Sequence, residues 1–236
     1  SRKYRKTVET AAGGVDIPPA AFLRLDNPKT AVLQYGRYRK RGDGMELKGK
    51  VCLFLGDSIT AGVGTSGEQA TYWHILGQRT GAIVKGYGIS GTSIAPQLNA
   101  LYPEIDLPYF RTRLDTMEPQ ADLICVLGGT NDYGHGDTPF GTLSDRTEET
   151  FCGAMHTLCR SIAERWPLAT AVLLTPLHRA DEQRLVNDRG VRCQKTLAEY
   201  VEAERQIAAY YGMPVLDLFA TAGIQPALPV HRERFM

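Results

Sequence analysis

The chain has 236 residues with 27 Lys and Arg against 26 Asp and Glu, and its net charge of +1 gives no indication of nucleic-acid binding. Its hydrophobic fraction of 43% and charged fraction of 22% are typical of a globular protein, and its length suits a single α/β domain. No apolar stretch approaches the about 20 residues that a membrane-spanning helix needs.

The five cysteines are single residues without paired spacing, at positions 52, 125, 152, 159 and 193. This spacing argues against a disulfide framework and against a zinc site. No signal peptide is recognisable, which together with the unpaired cysteines slightly favours a cytoplasmic location. The first residue is Ser1 rather than Met, which is compatible with a processed or shortened N-terminus.

The first 45 residues carry turn signals and most of the basic charge. Residues 1–50 hold 12 Lys and Arg against 5 Asp and Glu, whereas the rest of the chain holds 15 against 21. Too few apolar residues occur in this segment for a core of its own. We therefore predict that residues 1–45 form a basic extension that wraps a domain formed by residues 46–236. Contact of this extension with a polyanion is the less favoured interpretation.

From Lys48 onward, the predicted elements alternate between strand and helix. Apolar runs predict strands at residues 51–55, 82–84, 122–127, 170–175 and 214–218. Apolar residues at helical spacing predict helices at residues 69–80 and 105–117, from a capping box at residues 145–148 to before Pro167, and from about Asp188 to near Gly212. This alternation predicts a parallel sheet with helices on both faces.

Three glycine-containing segments follow predicted strands. They are Gly56-Asp57-Ser58, Gly88-Ile89-Ser90-Gly91 and Gly128-Gly129-Thr130-Asn131-Asp132. Because the carboxyl ends of parallel strands meet at one edge of the sheet, we expect the three segments to converge on one cleft.

The residues in this expected cleft fit acyl transfer. Ser58 is a candidate nucleophile, and a developing oxyanion would need preorganised donors. The backbone N–H groups of Ser58 and Gly88 and the side-chain amide of Asn131 are candidates for that role. Asp57 is expected to accept a hydrogen bond from the backbone of the turn rather than to act as a base.

In order and spacing, the three segments resemble the first three sequence blocks of the SGNH hydrolase superfamily, the GDSL-type esterases and lipases, over roughly Lys50 to the C-terminus. The resemblance implies an α/β fold, namely a three-layer α/β/α sandwich with a mostly parallel, flavodoxin-like sheet. It implies that Ser58 is the nucleophile and that Ser58, Gly88 and Asn131 form the oxyanion hole. It also implies a small-molecule ester as substrate, no metal and no organic cofactor.

The fourth landmark of that superfamily is a C-terminal Asp-x-x-His block, whose histidine activates the serine, and the end of this chain contains no such block. His231 lies nearest to the expected place but is a weak candidate, because Leu228 stands at the Asp position. We hypothesise that the polypeptide continues beyond Met236 into the missing block, since no helix is predicted after the last strand. His135 and Tyr133 are expected in a substrate loop.

The leading interpretation is a serine esterase that acts on carbohydrate O-acetyl groups or short-chain esters through an acyl-enzyme. A catalytically incomplete binding protein with the same cleft is the alternative, because the base is missing. A flavin or nucleotide protein is disfavoured, because residues 56–64 lack the Lys-Ser/Thr pair of a P-loop and the spacing of a dinucleotide fingerprint.

Overall fold

A computed structural model of the protein describes residues 46–98 and 107–235, so the predicted extension over residues 1–45 lies outside the described residues. In this part of the chain one five-stranded sheet is formed by β1 (Val51–Gly56), β2 (Ile83–Gly88), β3 (Leu123–Leu127), β4 (Thr170–Leu174) and β5 (Val215–Leu216). All neighbouring strands are parallel, in the order β2-β1-β3-β4-β5. This is the flavodoxin-like order, so the predicted sheet is confirmed.

The helices of the described residues differ greatly in length. They are α1 (Ser58–Ala61), α2 (Tyr72–Thr80), α3 (Phe110–Arg113), α4 (Thr130–His135), α5 (Phe151–Arg165), α6 (Leu197–Tyr210), α7 (Leu218–Thr221) and α8 (Pro229–Phe235). Among these described helices, none is long and apolar enough to cross a membrane.

Helices cover both faces of the sheet, because successive side chains of each strand point to opposite faces. Leu53 and Leu55 of β1 belong to a core that includes residues of α3, α5 and α6. Cys52 and Phe54 of the same strand belong to a second core with Trp73 of α2. The protein is therefore the three-layer α/β/α sandwich that the sequence predicts.

The beginning of α5 differs from the prediction. The helix is capped by Thr150, whose side chain accepts from the backbone N–H of Gly153, and not by a capping box at residues 145–148. Glu148 instead accepts hydrogen bonds from Tyr109 and Arg111. The Glu148 carboxylate, which the local pattern assigned to a helix cap, is therefore bound by residues distant in sequence.

The beginning of α6 also differs from the prediction, which placed it near Asp188. The capping box that starts the helix is formed by Thr196 and Glu199. Residues 187–191 form a turn, in which Asn187 Oδ1 accepts from the backbone N–H groups of Arg189 and Val191. The Thr-x-x-Glu pattern at Thr196 was the sequence signal for the true start.

Two further predictions are corrected. The helix predicted at residues 105–117 is shorter in the described residues, where α3 is followed by a 3₁₀ turn at Leu114–Thr116. The prediction that no helix follows the last strand is wrong, because α7 and α8 follow β5. Leu218 of α7 packs against the same core as Phe54, so α7 contributes cover to that face of the sheet.

Candidate active site

The three glycine-containing segments meet at one edge of the sheet. Gly56, the last residue of β1, pairs with Gly88 of β2 on one side and with Leu127 of β3 on the other. The chain continues from these aligned strand ends into the predicted site residues. The convergence that the sequence predicts is therefore present, beside the point where the strand order reverses, which is where open α/β sheets bind ligands.

The turn after β1 presents Ser58 as the first residue of α1. Asp57 Oδ1 accepts from the backbone N–H of Ile59 at 2.9 Å, so Asp57 has the structural role predicted for it. Burial raises the pKa of Asp57 to about 6, against the opposing effects of the Ile59 N–H and the Arg113 charge. Ser58 is half-buried, and its Oγ forms no hydrogen bond with a described residue.

Gly88 lies directly against the backbone of α1. A Cβ atom at Gly88 would lie 2.0 Å from the backbone nitrogen of Ala61. Any side chain here would therefore push α1, and Ser58 with it, away from the end of β2. The packing requires glycine at this position and keeps the Gly88 backbone against Thr60 and Ala61 of α1.

Asn131 connects the third segment to the second. Its side chain is 7% exposed, and Nδ2 donates to the backbone oxygen of Thr92 at 2.7 Å. An asparagine amide has two N–H donors. One of them holds the loop after β2, and a role of the other as an oxyanion donor stays a prediction.

Asp132 also connects the third segment to the loop after β2. No role was predicted for its side chain from the sequence. Its two carboxylate oxygens accept from the backbone N–H groups of Ile94 at 3.0 Å and Ala95 at 2.9 Å. Burial raises the pKa of Asp132 to about 6, although these hydrogen bonds favour its ionised form. Asp132 and His135 also have Asp-x-x-His spacing, but this carboxylate is bound to the loop and does not orient the imidazole.

The two residues expected in a substrate loop lie on α4. His135 Nε2 lies 3.3 Å from the backbone oxygen of Gly91, and burial lowers its pKa. Tyr133 is 2% exposed, and its hydroxyl donates to the backbone oxygen of Asp181 at 2.7 Å. His135 is therefore placed beside the loop after β2, whereas Tyr133 anchors the loop that follows β4. A role of either residue in substrate binding stays a prediction.

No histidine of the described residues forms a hydrogen bond with Ser58. His178 Nδ1 pairs with Glu182 at 2.8 Å, and its ring lies 3.7 Å from that of Phe219. His231 Nδ1 accepts from the backbone N–H of Gln225 at 2.9 Å, a contact within the C-terminal segment. The candidacy of His231 as a base thus stays a prediction.

A buried glutamate lies beneath the third segment. Glu204 of α6 is 0% exposed, and neither carboxylate oxygen has a hydrogen-bond partner among the described residues. A Cβ at Gly129, which has a φ of +93°, would lie 2.0 Å from Glu204 Oε1. Burial raises the pKa of Glu204 well above its usual value, so the folded state favours the neutral carboxyl group.

This buried carboxyl group makes stability depend on pH. Because its pKa is higher in the folded than in the unfolded state, its contribution is most favourable below pH 4.5 and is lost as pH rises toward the folded pKa. We expect Glu204→Gln to reduce the fall in the free energy of unfolding between pH 5 and pH 8, measured by urea denaturation. Glu202→Gln, on the exposed side of α6, is the matched control. An equal effect of both variants would contradict the assignment to Glu204.

Comparisons with known proteins agree with this fold. Residues 54–234 match the model of the GDSL-like Lipase/Acylhydrolase family. One solved structure is 33% identical, with a TM-score of 0.68, and the match covers 80% of this chain and 86% of the other. A protein from Lactobacillus plantarum is 30% identical, with a TM-score of 0.63 and coverage of 79% and 85%.

The structure of a GDSL-like lipase from Bacteroides ovatus is 21% identical, with a TM-score of 0.54. This match covers 72% of this chain and 86% of the other. At that identity the likeness concerns the fold alone. None of the curated proteins matches the chain at a significant level. The family match spans more than half of the residues, and it includes the predicted nucleophile and Asn131. The chain therefore belongs to the GDSL-like lipase/acylhydrolase family of the SGNH hydrolase superfamily, whose members are hydrolases of acyl esters.

Proposed function

We propose that this protein is a serine hydrolase that cleaves small acyl esters through an acyl-enzyme intermediate. The observation that carries the proposal is the alignment of the strand ends Gly56, Gly88 and Leu127 at one edge of the sheet, which is also the edge at which Ser58 and Asn131 follow their strands. Ser58 is half-buried, and its hydroxyl, which forms no hydrogen bond with a described residue, is proposed to be available for attack. Membership of an acyl-hydrolase family supports the same reaction class.

In the proposed reaction, Ser58 Oγ attacks the carbonyl carbon of the ester while its proton passes to a base. The carbonyl electrons move onto oxygen, and the resulting oxyanion accepts hydrogen bonds from the N–H groups of Ser58, Gly88 and Asn131 Nδ2. Collapse of this intermediate breaks the bond to the alcohol, which leaves with a proton. A water molecule then gives a proton to the base and attacks the acyl carbon, the bond between that carbon and Ser58 Oγ breaks, and Oγ takes back the proton as the acid leaves.

The sequence around the proposed site disfavours a long acyl chain. The stretch Tyr133–Leu143, expected beside the site, contains no long apolar run. Ile59 and Ile89 follow Ser58 and Gly88 in the chain and are 36% and 38% exposed. We therefore propose carbohydrate O-acetyl groups or short-chain esters as substrates, rather than long-chain lipids.

A binding protein with the same cleft is the second candidate function. It is favoured by one observation, namely that no histidine of the described residues is hydrogen-bonded to Ser58. Such a protein would bind an ester or acid in the oxyanion hole without turning it over, because an unactivated serine is a weak nucleophile.

Covalent chemistry at Ser58 separates the two candidates. We expect p-nitrophenyl acetate to give an initial burst of p-nitrophenol equal to the enzyme concentration. We also expect a fluorophosphonate to label Ser58 specifically. Mass spectrometry of the digested protein locates the label. A fluorophosphonate competitor should remove the burst. Absence of both burst and label, with retained binding of an ester measured by calorimetry, would support the binding protein instead.

A further inference from the structure

The proposed nucleophile lies on a helix that is a single turn long and too short to bond all of its own carbonyl groups. α1 ends at Ala61, and the chain leaves it at Gly62, which has a φ of +82°. The last carbonyl groups of any helix lack backbone donors within it. The Thr60 oxygen accepts from no backbone N–H of a described residue. Its donor is the indole Nε1–H of Trp73 in α2, at 2.9 Å, so a side chain of α2 completes the end of α1.

The residue of α2 next to Trp73 binds the same threonine. The hydroxyl groups of Tyr72 and Thr60 lie 2.9 Å apart and form a hydrogen bond. Thr60 is 1% exposed, and a Cβ at Gly56 would lie 2.0 Å from its Oγ1. Thr60 therefore packs against the end of β1, while both its carbonyl and its hydroxyl group are bound by α2. It lies two residues after Ser58 in the same helix.

Trp73 is itself fixed against the sheet. It is 7% exposed, and its ring stacks on that of Phe54 of β1 with 6.5 Å between the ring centroids. A Cβ at Gly86 would lie 2.4 Å from the indole, so the ring lies directly on the backbone of β2. The donor that binds the Thr60 oxygen is thus held at a defined place between β2 and α1.

The hydrogen bond from Trp73 to Thr60 bears on the position of Ser58. Thr60 and Ser58 belong to one turn of backbone. This turn is closed by a 2.9 Å hydrogen bond from the Ala61 N–H to the Asp57 oxygen. A displacement of Thr60 would therefore also displace Ser58. Misplacement of a reacting group by about 1 Å can lower a rate by about a hundredfold.

We propose that Trp73 is a positioning residue of the active site, which holds α1 through the Thr60 carbonyl and thereby fixes the place of Ser58. This inference rests on the proposed hydrolysis at Ser58. It assigns to Trp73 no contact with the substrate. Its effect is therefore on the rate of attack by the serine and not on the binding of the ester.

The test begins with Trp73→Phe, which removes the N–H donor and keeps an aromatic ring in the core. We expect kcat to fall by about tenfold to a hundredfold, because the serine is less well placed, with little change in KM. Labelling of Ser58 by a fluorophosphonate should slow by a similar factor. Amide hydrogen exchange of Ile59 and Ala61, whose N–H groups both bind Asp57, should become faster, since α1 is then held less firmly.

Trp166→Phe is the matched control. Trp166 is 4% exposed, and its Nε1 also donates to a backbone oxygen, that of Glu118 at 3.0 Å. It packs in the core on the other face of the sheet, with α5 and α6. This variant should also lose stability, measured by urea denaturation, but it should keep kcat, the labelling rate and the exchange of Ile59 and Ala61.

The donor can also be removed without a change of shape. The chain has two tryptophans, so Trp73 is the one that remains in Trp166→Phe. Incorporation of the benzothienyl analogue of tryptophan, which has sulfur in place of the N–H, then replaces Trp73 alone. This protein should show the same fall in kcat as Trp73→Phe. If Trp73→Phe does not fold, the analogue decides through the same readouts.

Two results would overturn the inference. One is an unchanged kcat per folded molecule when the Trp73 N–H is removed, and the other is an equal fall in kcat in Trp166→Phe. If the unchanged protein itself shows neither hydrolysis nor labelling, the proposed function fails, whereas the exchange of Ile59 and Ala61 still tests whether Trp73 holds α1. The two failures are therefore distinguishable.

Discussion

Replacement of Ser58 by alanine is expected to abolish ester hydrolysis, with a loss of kcat on the order of 10⁶-fold, as for another serine nucleophile. The reason is chemical, since alanine has no oxygen that can form the acyl-enzyme. The fold should be unaffected, because Ser58 is half-buried and its Oγ forms no hydrogen bond with a described residue. Steady-state hydrolysis of p-nitrophenyl acetate and fluorophosphonate labelling measure the loss, and the circular dichroism melting temperature measures stability.

Ser66→Ala is the matched control for this variant. Ser66 is an exposed serine in the loop that follows α1, outside the proposed catalytic residues. It should retain full turnover and full labelling. Hydrolysis that survives in Ser58→Ala at the original rate would remove Ser58 as the nucleophile.

Replacement of Asn131 by alanine is expected to lower kcat by about a hundredfold or more, equivalent to roughly 3–4 kcal/mol of transition-state stabilisation. The variant loses the side-chain N–H that the oxyanion would accept. It also loses the hydrogen bond to the Thr92 oxygen, which holds the loop after β2, so a stability loss of about 1 kcal/mol is expected as well. Kinetics at saturating ester and urea denaturation measure the two effects separately.

Asn187→Ala distinguishes a catalytic effect from the loss of a buried amide. Asn187 is also 7% exposed, and its Nδ2 donates to the backbone oxygen of Gly136 at 2.9 Å. It should lose at least as much stability, since Asn187 Oδ1 also accepts from two backbone N–H groups, and it should keep most of its kcat. An equal fall in kcat for both variants would mean that Asn131 acts through the loop and not on the oxyanion.

The convergence of the site could be predicted from the sequence because its causes are local. Apolar runs such as the one ending at Gly56 form buried parallel strands, and a glycine after each strand marks the turn at the carboxyl edge. Because the carboxyl ends of parallel strands lie at one edge of a sheet, the convergence of the three segments could be predicted without measured distances. The ordered set of short blocks was specific enough to indicate the family that the comparisons show.

The helix starts were predicted less well because tertiary contacts compete with local patterns. At Asp145 the sequence has the form of a capping box, yet Glu148 is bound by Arg111 and Tyr109 and the helix begins at Phe151. At Asp188 an apolar periodicity was extended too far upstream, past a turn that Asn187 holds. A local sequence pattern does not show which distant residue forms a hydrogen bond or ion pair with a given side chain.

The sequence by itself determined the layered fold and the edge of the sheet at which the segments with Ser58, Gly88 and Asn131 meet, and it predicted a site there. Only the tertiary structure decided which side chains hold that edge together. Arg113 is separated by 57 residues from its partner Gly56, and Asp132 by 38 from Ile94. The raised pKa of Glu204 depends on its burial beneath Gly129, which no local pattern encodes. Charge and hydrogen bonding in a folded core depend on long-range proximity, whereas strands and turns depend on neighbouring residues.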